Sequence, residues 1–142
     1  MNELDLAYAA GIIDGEGCIS VKNKKIFKPG KMSGVPVIYL GMADKALVYW
    51  FKEYFNAGIV NDIGRRKEHY KDQYRWVVEG KQCLKVLALL LPYLRGKKPQ
   101  ALELLKWPFN GPDYKIGQRL SEEIMIERAR ITSRLKELKR LV

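Results

Sequence analysis

The amino-acid sequence predicts an α+β fold: a mixed αββαββα core whose antiparallel sheet is packed by helices on one face, followed by C-terminal helices. Three observations predict it. Apolar residues switch between helical and alternating spacing along the chain, the alternating segments arrive in hairpin pairs, and helical spacing returns after residue 80. At 142 residues the chain is expected to form one domain able to bury a real core.

The first element is a helix over Glu3 to Asp14, with Leu6, Ala9, Ala10 and Ile13 at helical spacing and Glu3 and Asp5 in its first turn. Gly15 and Gly17 are expected to end it in a left-handed cap. Ile19 and Val21 then alternate with Ser20, Lys22 and Lys24 as a half-buried strand. Lys28 to Lys31, Ser33 and Gly34 read as a turn before a second strand with Ile38, Leu40 and Met42 on one face. Asp44 suits the N-cap of a helix carrying Leu47, Val48, Trp50, Phe51, Tyr54 and Phe55. A third strand begins near Gly58, and a fourth covers Asp72 to Gly80 with Tyr74, Trp76 and Val78 facing the core. Leu84, Leu87, Ala88 and Leu91 mark the next helix, and Pro99 opens another through Leu105. After a loop from Pro108 to Gly117, Leu120, Ile124, Ile131, Leu135, Leu138 and Val142 form the stripe of a final helix.

Charge narrows the function. Lys and Arg total 26 against 16 Asp and Glu, a net charge of +10, which favours a polyanionic partner. The two cysteines, Cys18 and Cys83, are too few and too far apart for a disulfide framework or a zinc finger. One histidine, His69, argues against His-based metal or nuclease chemistry. No apolar run is long enough to span a bilayer and no basic leader is visible, so the expected setting is intracellular and the expected partners exclude a membrane.

The cations gather on one sheet face. Ser20, Lys22 and Lys24 oppose the core side of the first strand, Tyr39 that of the second, and Gln73 and Arg75 that of the fourth. Arg65 and Arg66 lie in the intervening turn. Such a face suits a duplex groove, with Lys and Arg on phosphates and Arg or Gln on base edges. A merely solvated face is the alternative.

The sharpest local pattern is Ala9-Ala10-Gly11-Ile12-Ile13-Asp14-Gly15-Glu16-Gly17. Ala7, Ala10, Gly11 and Asp14 share a helix face, mostly small, which another helix could approach closely. Glu16 lies at the helix end. A glycine stop followed by a polar turn is the alternative reading.

This nonapeptide resembles the motif of the LAGLIDADG homing endonucleases, with Glu in place of the last Asp. The order of elements and the segment Arg95-Gly96-Lys97-Lys98-Pro99-Gln100-Ala101 are also similar to that family. The resemblance covers about residues 4 to 105, leaving a C-terminal helical extension over about 106 to 142 of a single domain spanning 1–142. It implies a site-specific endonuclease that makes double-strand breaks by metal-dependent phosphodiester hydrolysis, with magnesium or another divalent ion as cofactor. It implies Glu16 as the metal-binding catalytic carboxylate, Gly15 as a second ligand through its carbonyl, and Lys97 as a catalytic lysine. Asp44 falls where relatives place a solvent-positioning residue, although capping the next helix explains it equally. Asp14 matches the motif's first, more structural acid.

With one motif per chain, the resemblance implies a homodimer meeting through Ala7, Ala10, Gly11 and Asp14. Its sheets would form a saddle on a long, approximately two-fold symmetric double-stranded DNA target. An RNA-binding intron maturase and a catalytically inactive DNA-binding protein of the same fold are the alternatives. The final helix either packs on the core with incidental phosphate contact or simply solvates its charges.

Overall fold

The first helix, α1, spans Glu3–Glu16 and buries Leu6, Ala9, Ala10 and Ile13, as their spacing predicts. Asn2 closes its N-terminus by accepting the Leu4 N–H at 2.7 Å. The computed structural model describes residues 1–25, 32–109 and 120–141, with the side chains of all of these except residues 24, 25, 32 and 33.

The expected left-handed stop does not form. Gly15 is still helical, Glu16 is the last helical residue, and Gly17 is extended at φ −86°, ψ 168°. Glycine is needed at 17 because a Cβ there would meet the Ile13 carbonyl oxygen at 2.9 Å. The helix passes straight into strand β1, Gly17–Lys25, with no room between them for a side chain.

Strand β2 covers Met32–Met42, so Ser33 and Gly34, expected in a turn, belong to it; Lys28 to Lys31 lie outside the described residues. Helix α2, Lys45–Phe55, starts at Asp44, whose carboxylate accepts the Leu47 N–H at 3.1 Å, a cap contributing about 1 kcal/mol. Strands β3, Ile59–Gly64, and β4, Gln73–Glu79, complete an antiparallel sheet of order β1-β2-β4-β3. Gly58 joins α2 to β3 at φ +79°, where a Cβ would lie 2.5 Å from the Val77 carbonyl oxygen.

Helices α3, Gly80–Leu90, α4, Lys98–Leu104, and α5, Glu122–Arg140, follow. The buried face of α3 is Cys83, Val86, Leu87 and Leu90. This differs from the expected Leu84, Leu87, Ala88, Leu91 by about one residue of rotation. Its phase is set by the direct passage from β4 through Gly80 at φ +67°, which periodicity among many leucines does not reveal.

Ile19, Ile38, Leu40, Trp76 and Val78 form the core face of the sheet, packed with Phe51 and Phe55 of α2. Ile131 and Leu135 of α5 join the same core, as does Trp107. The Arg128 guanidinium lies 5.2 Å from the Trp107 ring, and Arg128 Nε donates to the Pro108 carbonyl at 3.0 Å. Glu103 of α4 is almost buried and meets Arg130 Nη1 at 3.1 Å and Lys106 Nζ at 3.3 Å. Its Oε1 lacks an aligned hydrogen bond, so Arg130 meets that oxygen as a charge rather than along an N–H direction. The final helix therefore packs on the body of the protein. Among the described residues no helix is long and apolar enough to cross a membrane.

Candidate functional site

Two surfaces collect the residues singled out from sequence. The first is the C-terminal end of α1. A helix leaves its last carbonyls without intrahelical partners, and this end is stabilised by donors from elsewhere in the chain. Asp14 Oδ2 accepts the Arg95 N–H at 2.8 Å, and Oδ1 accepts the Lys97 N–H at 2.8 Å. Lys97 Nζ donates to the Asp14 carbonyl at 2.6 Å. One residue of the motif thus binds the α3–α4 turn at three points and brings the Lys97 ammonium to the helix end that carries Glu16.

Glu16 itself is exposed. Among the described residues no hydrogen bond or ion pair engages its carboxylate. The register of β1 with β2, Gly17 opposite Leu40, carries the chain beyond Met42 toward the same end of the sheet. Asp44 is therefore at that end too, with one carboxylate oxygen capping α2. Asp14 brings Lys97 to the helix end that carries Glu16, whereas strand register alone puts Asp44 at that end of the sheet. Among the described residues no three acidic, histidine or cysteine side chains converge to hold a metal ion. One chain alone offers the exposed Glu16 carboxylate at this end, with exposed Gly15 beside it in the last turn of the helix.

Beside this end runs an open groove lined by Ala7, Gly11 and Asp14 on one side and Tyr93, Arg95 and Lys98 on the other. Ala7 and Gly11 are exposed, as are Leu4 and Tyr8 on the same side of the helix. A Cβ added at Gly11 or Gly15 meets nothing within 4 Å, so nothing among the described residues of this chain demands glycine there. Ala10, expected on this outward face, is instead fully buried in the core of its own chain. The small residues at 9, 10 and 11 look alike in sequence, and packing against the sheet and α3 decides that Ala9 and Ala10 close inward while Gly11 stays exposed.

The second surface is the outer face of the sheet. Cys18, Tyr39, Val77 and Ile59 form one row across it, Ser20, Val37 and Glu79 the next, and Gly41, Arg75 and Asn61 a third. Lys22, opposite Val35, and Gln73, opposite Gly64, extend the face in both directions. Lys24 continues it by register, opposite Ser33, although its side chain is outside those described. The face thus brings together Ser20, Lys22, Tyr39, Gln73 and Arg75. Arg65 and Arg66 occupy the β3–β4 turn, where Arg65 Nε donates to Asp72 Oδ1 at 3.0 Å and Arg66 is exposed.

The cations here have partners within the face. Arg75 lies over the Tyr39 ring at 5.5 Å. Lys22 Nζ donates to Glu79 Oε1 at 2.9 Å, and this hydrogen bond holds the ammonium charged to higher pH than usual. Lys139 of α5 reaches the edge strand and donates to Ser20 Oγ at 3.0 Å. Asn61, and the placement of Lys139 against Ser20, were not apparent from sequence. Strand alternation around Val60 could have found Asn61; no local signal places Lys139, 119 residues from Ser20.

No protein-family model and no curated protein sequence matches this chain. Solved structures do. The homing endonuclease I-CvuI, in complex with the I-CreI target, superposes with a TM-score of 0.74 at 21% identity, covering 96% of this chain and 82% of that one. The archaeal intron-encoded homing endonuclease I-Vdi141I, complexed with DNA, gives 0.71 at 18% identity over 96% and 84% of the two chains. The meganuclease I-SmaMI bound to DNA gives 0.69 at 15% identity; 96% of this chain matches only 46% of that one. The fold is that of the LAGLIDADG homing endonucleases.

Proposed function

We propose that this chain, having the LAGLIDADG homing endonuclease fold, is itself a member of that family. Its proposed activity is a site-specific double-strand break in DNA, made by divalent-metal-dependent phosphodiester hydrolysis as a homodimer. The observation that carries this reading is the arrangement at the end of α1. An exposed Glu16 carboxylate, unengaged among the described residues, stands where the Asp14 carbonyl holds the Lys97 ammonium with a 2.6 Å hydrogen bond.

The donor chemistry suits magnesium, which takes oxygen ligands and retains several waters. Glu16 and the Gly15 carbonyl would hold it, and two chains would supply two such sets. When bound, the metal provides an activated water and stabilises charge on the leaving oxygen. I-CvuI complexes have been solved with magnesium and with calcium, consistent with divalent-ion use in proteins of this fold.

The chain's own groups do the rest. Glu16 keeps a carboxylate exposed at the point where the two helices would meet. Lys97 holds a positive charge against the scissile phosphate, and the bonds of its backbone N–H and ammonium to Asp14 keep it from swinging away. Asp44 caps α2 with one oxygen and is proposed to orient solvent with the other. On each side of the cut, Ser20, Lys22, Lys24, Tyr39, Gln73 and Arg75 would meet the groove, with Arg65 and Arg66 on neighbouring phosphates.

Dimerisation is supported by the open face of α1 and by proportion. This chain matches less than half of I-SmaMI, as a half-enzyme should. Ala7 and Gly11 line the proposed contact and Asp14 borders it, whereas Ala10 supports it from inside. The proposed unit is the single domain 1–142, DNA-associated within the cell.

The test is cleavage of a randomised duplex library with magnesium and with EDTA, using wild type and Glu16→Gln. Wild type should cut a subset only with the metal, and Glu16→Gln should retain binding while cleavage falls below detection. Normal cutting by Glu16→Gln would remove Glu16 from the site.

A further inference from the structure

The outer sheet face is basic overall, yet it holds an acid near its middle. Glu79 ends β4 on the same face as Lys22 of β1, and their side chains meet across β2 at 2.9 Å. Both remain accessible, at 45% and 28% side-chain exposure, above a fully buried Val37. Two simple explanations fail. An exposed ion pair adds little to stability. A carboxylate facing a polyanion lowers affinity for every sequence alike.

A base edge supplies what a phosphate cannot. In the major groove a guanine offers adjacent acceptors, O6 and N7, and its cytosine partner offers the N4 donor. An ammonium can only donate and a carboxylate can only accept, so a Lys and a Glu held side by side match that edge in one orientation. At an A·T pair a single acceptor, N7 or O4, stands beside the adenine donor. The ammonium then keeps one acceptor where guanine offers two, and the preference for G·C rests on that second acceptor. The pair exchanges its internal hydrogen bond for contacts to the two bases, so neither charge is left without a partner.

We infer that Lys22 and Glu79 together read one G·C base pair in each half of the target, with Glu79 as the specificity-determining residue. This rests on the DNA-cleaving reading proposed above and adds to it a preferred base. The pair lies four to six residues along β1 from Glu16, on the order of 13–20 Å at strand rise, so the preferred position is outside the centre of the target.

The experiment selects bound duplexes from a library randomised in both half-sites, with calcium replacing magnesium so that cleavage plays no part. Wild type, Glu79→Gln and Lys22→Met are compared, with far-UV circular dichroism confirming each fold. Wild type should enrich G·C, in one orientation, at a pair of positions equally spaced from the centre. Glu79→Gln should lose about tenfold of that preference there, and only there, while binding unselected DNA more tightly. Lys22→Met should lose the preference at the same positions. The inference is overturned if Glu79→Gln tightens all duplexes equally with unchanged preferences, or if the altered positions are not shared with Lys22→Met. Should wild type enrich no sequence at all, the site-specific nuclease reading falls first and this one with it.

Discussion

At the end of α1, Lys97 is held through its backbone N–H and its ammonium by one residue, Asp14. On the outer sheet face, Lys22, Arg75 and Lys139 are held by other side chains: Glu79, the Tyr39 ring and Ser20. Backbone bonds fix a group in space, whereas side-chain pairs can be exchanged for a ligand at little cost. In the proposed enzyme the two regions need different kinds of precision. A cleavage centre tolerates little displacement. A groove-reading surface must re-form its contacts on each duplex.

Salt should separate the two regions most strongly. If the sheet faces neutralise roughly six to ten phosphates, affinity should fall by about 10³–10⁵ between 50 and 200 mM salt. Single-turnover cleavage at saturating DNA should change little, because the bonds around Lys97 are short and internal. Filter binding and single-turnover kinetics across a salt series measure both; a flat affinity would undo the phosphate role of the face.

Next in size is Asp14→Ala. Freeing the 95–97 turn should lower kcat by about 10²–10³, the scale of losing one charge-stabilising group, with a smaller change in KM. Stability should drop by roughly 1–3 kcal/mol for the two unpartnered N–H groups, read from urea unfolding. A rise in KM with kcat intact would show that Asp14 positions DNA instead of Lys97.

Gly11→Leu probes the open groove. A Cβ at Gly11 meets nothing within 4 Å among the described residues, so the protomer should keep its circular dichroism spectrum. The proposed dimer should weaken by about 1–3 kcal/mol from overpacking, seen as monomer in sedimentation at micromolar protein. The smallest effect concerns the cysteines. Burial, reinforced by the Glu79 charge, pushes the Cys83 thiol up to about 12, so it should resist alkylation at neutral pH. Cys18, half-exposed, should react first in a thiol titration of the folded protein.

Much of this organisation was legible from sequence. Ile19 and Val21 against Ser20 and Lys22 placed β1 correctly, and Tyr74, Trp76 and Val78 set the inward face of β4. Asp44 stood out as a helix start. Rotational phase was harder: α3 turned about one residue from its expected face, and Ala10 faced inward rather than toward a partner. Leu-rich and Ala-rich stretches satisfy several faces equally, and only the neighbouring element selects one.

Local backbone geometry, readable residue by residue, encoded the period of the main elements, the cap at Asp44 and the acid at the end of α1. The partnerships arose only when the chain folded. Asp14 meets Arg95 across 81 residues, Lys22 meets Glu79 across 57, and Lys139 meets Ser20 across 119. Periodicity and capping act within a few residues, where φ and ψ constrain neighbours directly. Contacts at such separations depend on strand register and helix packing, which exist only once the chain has closed on its core.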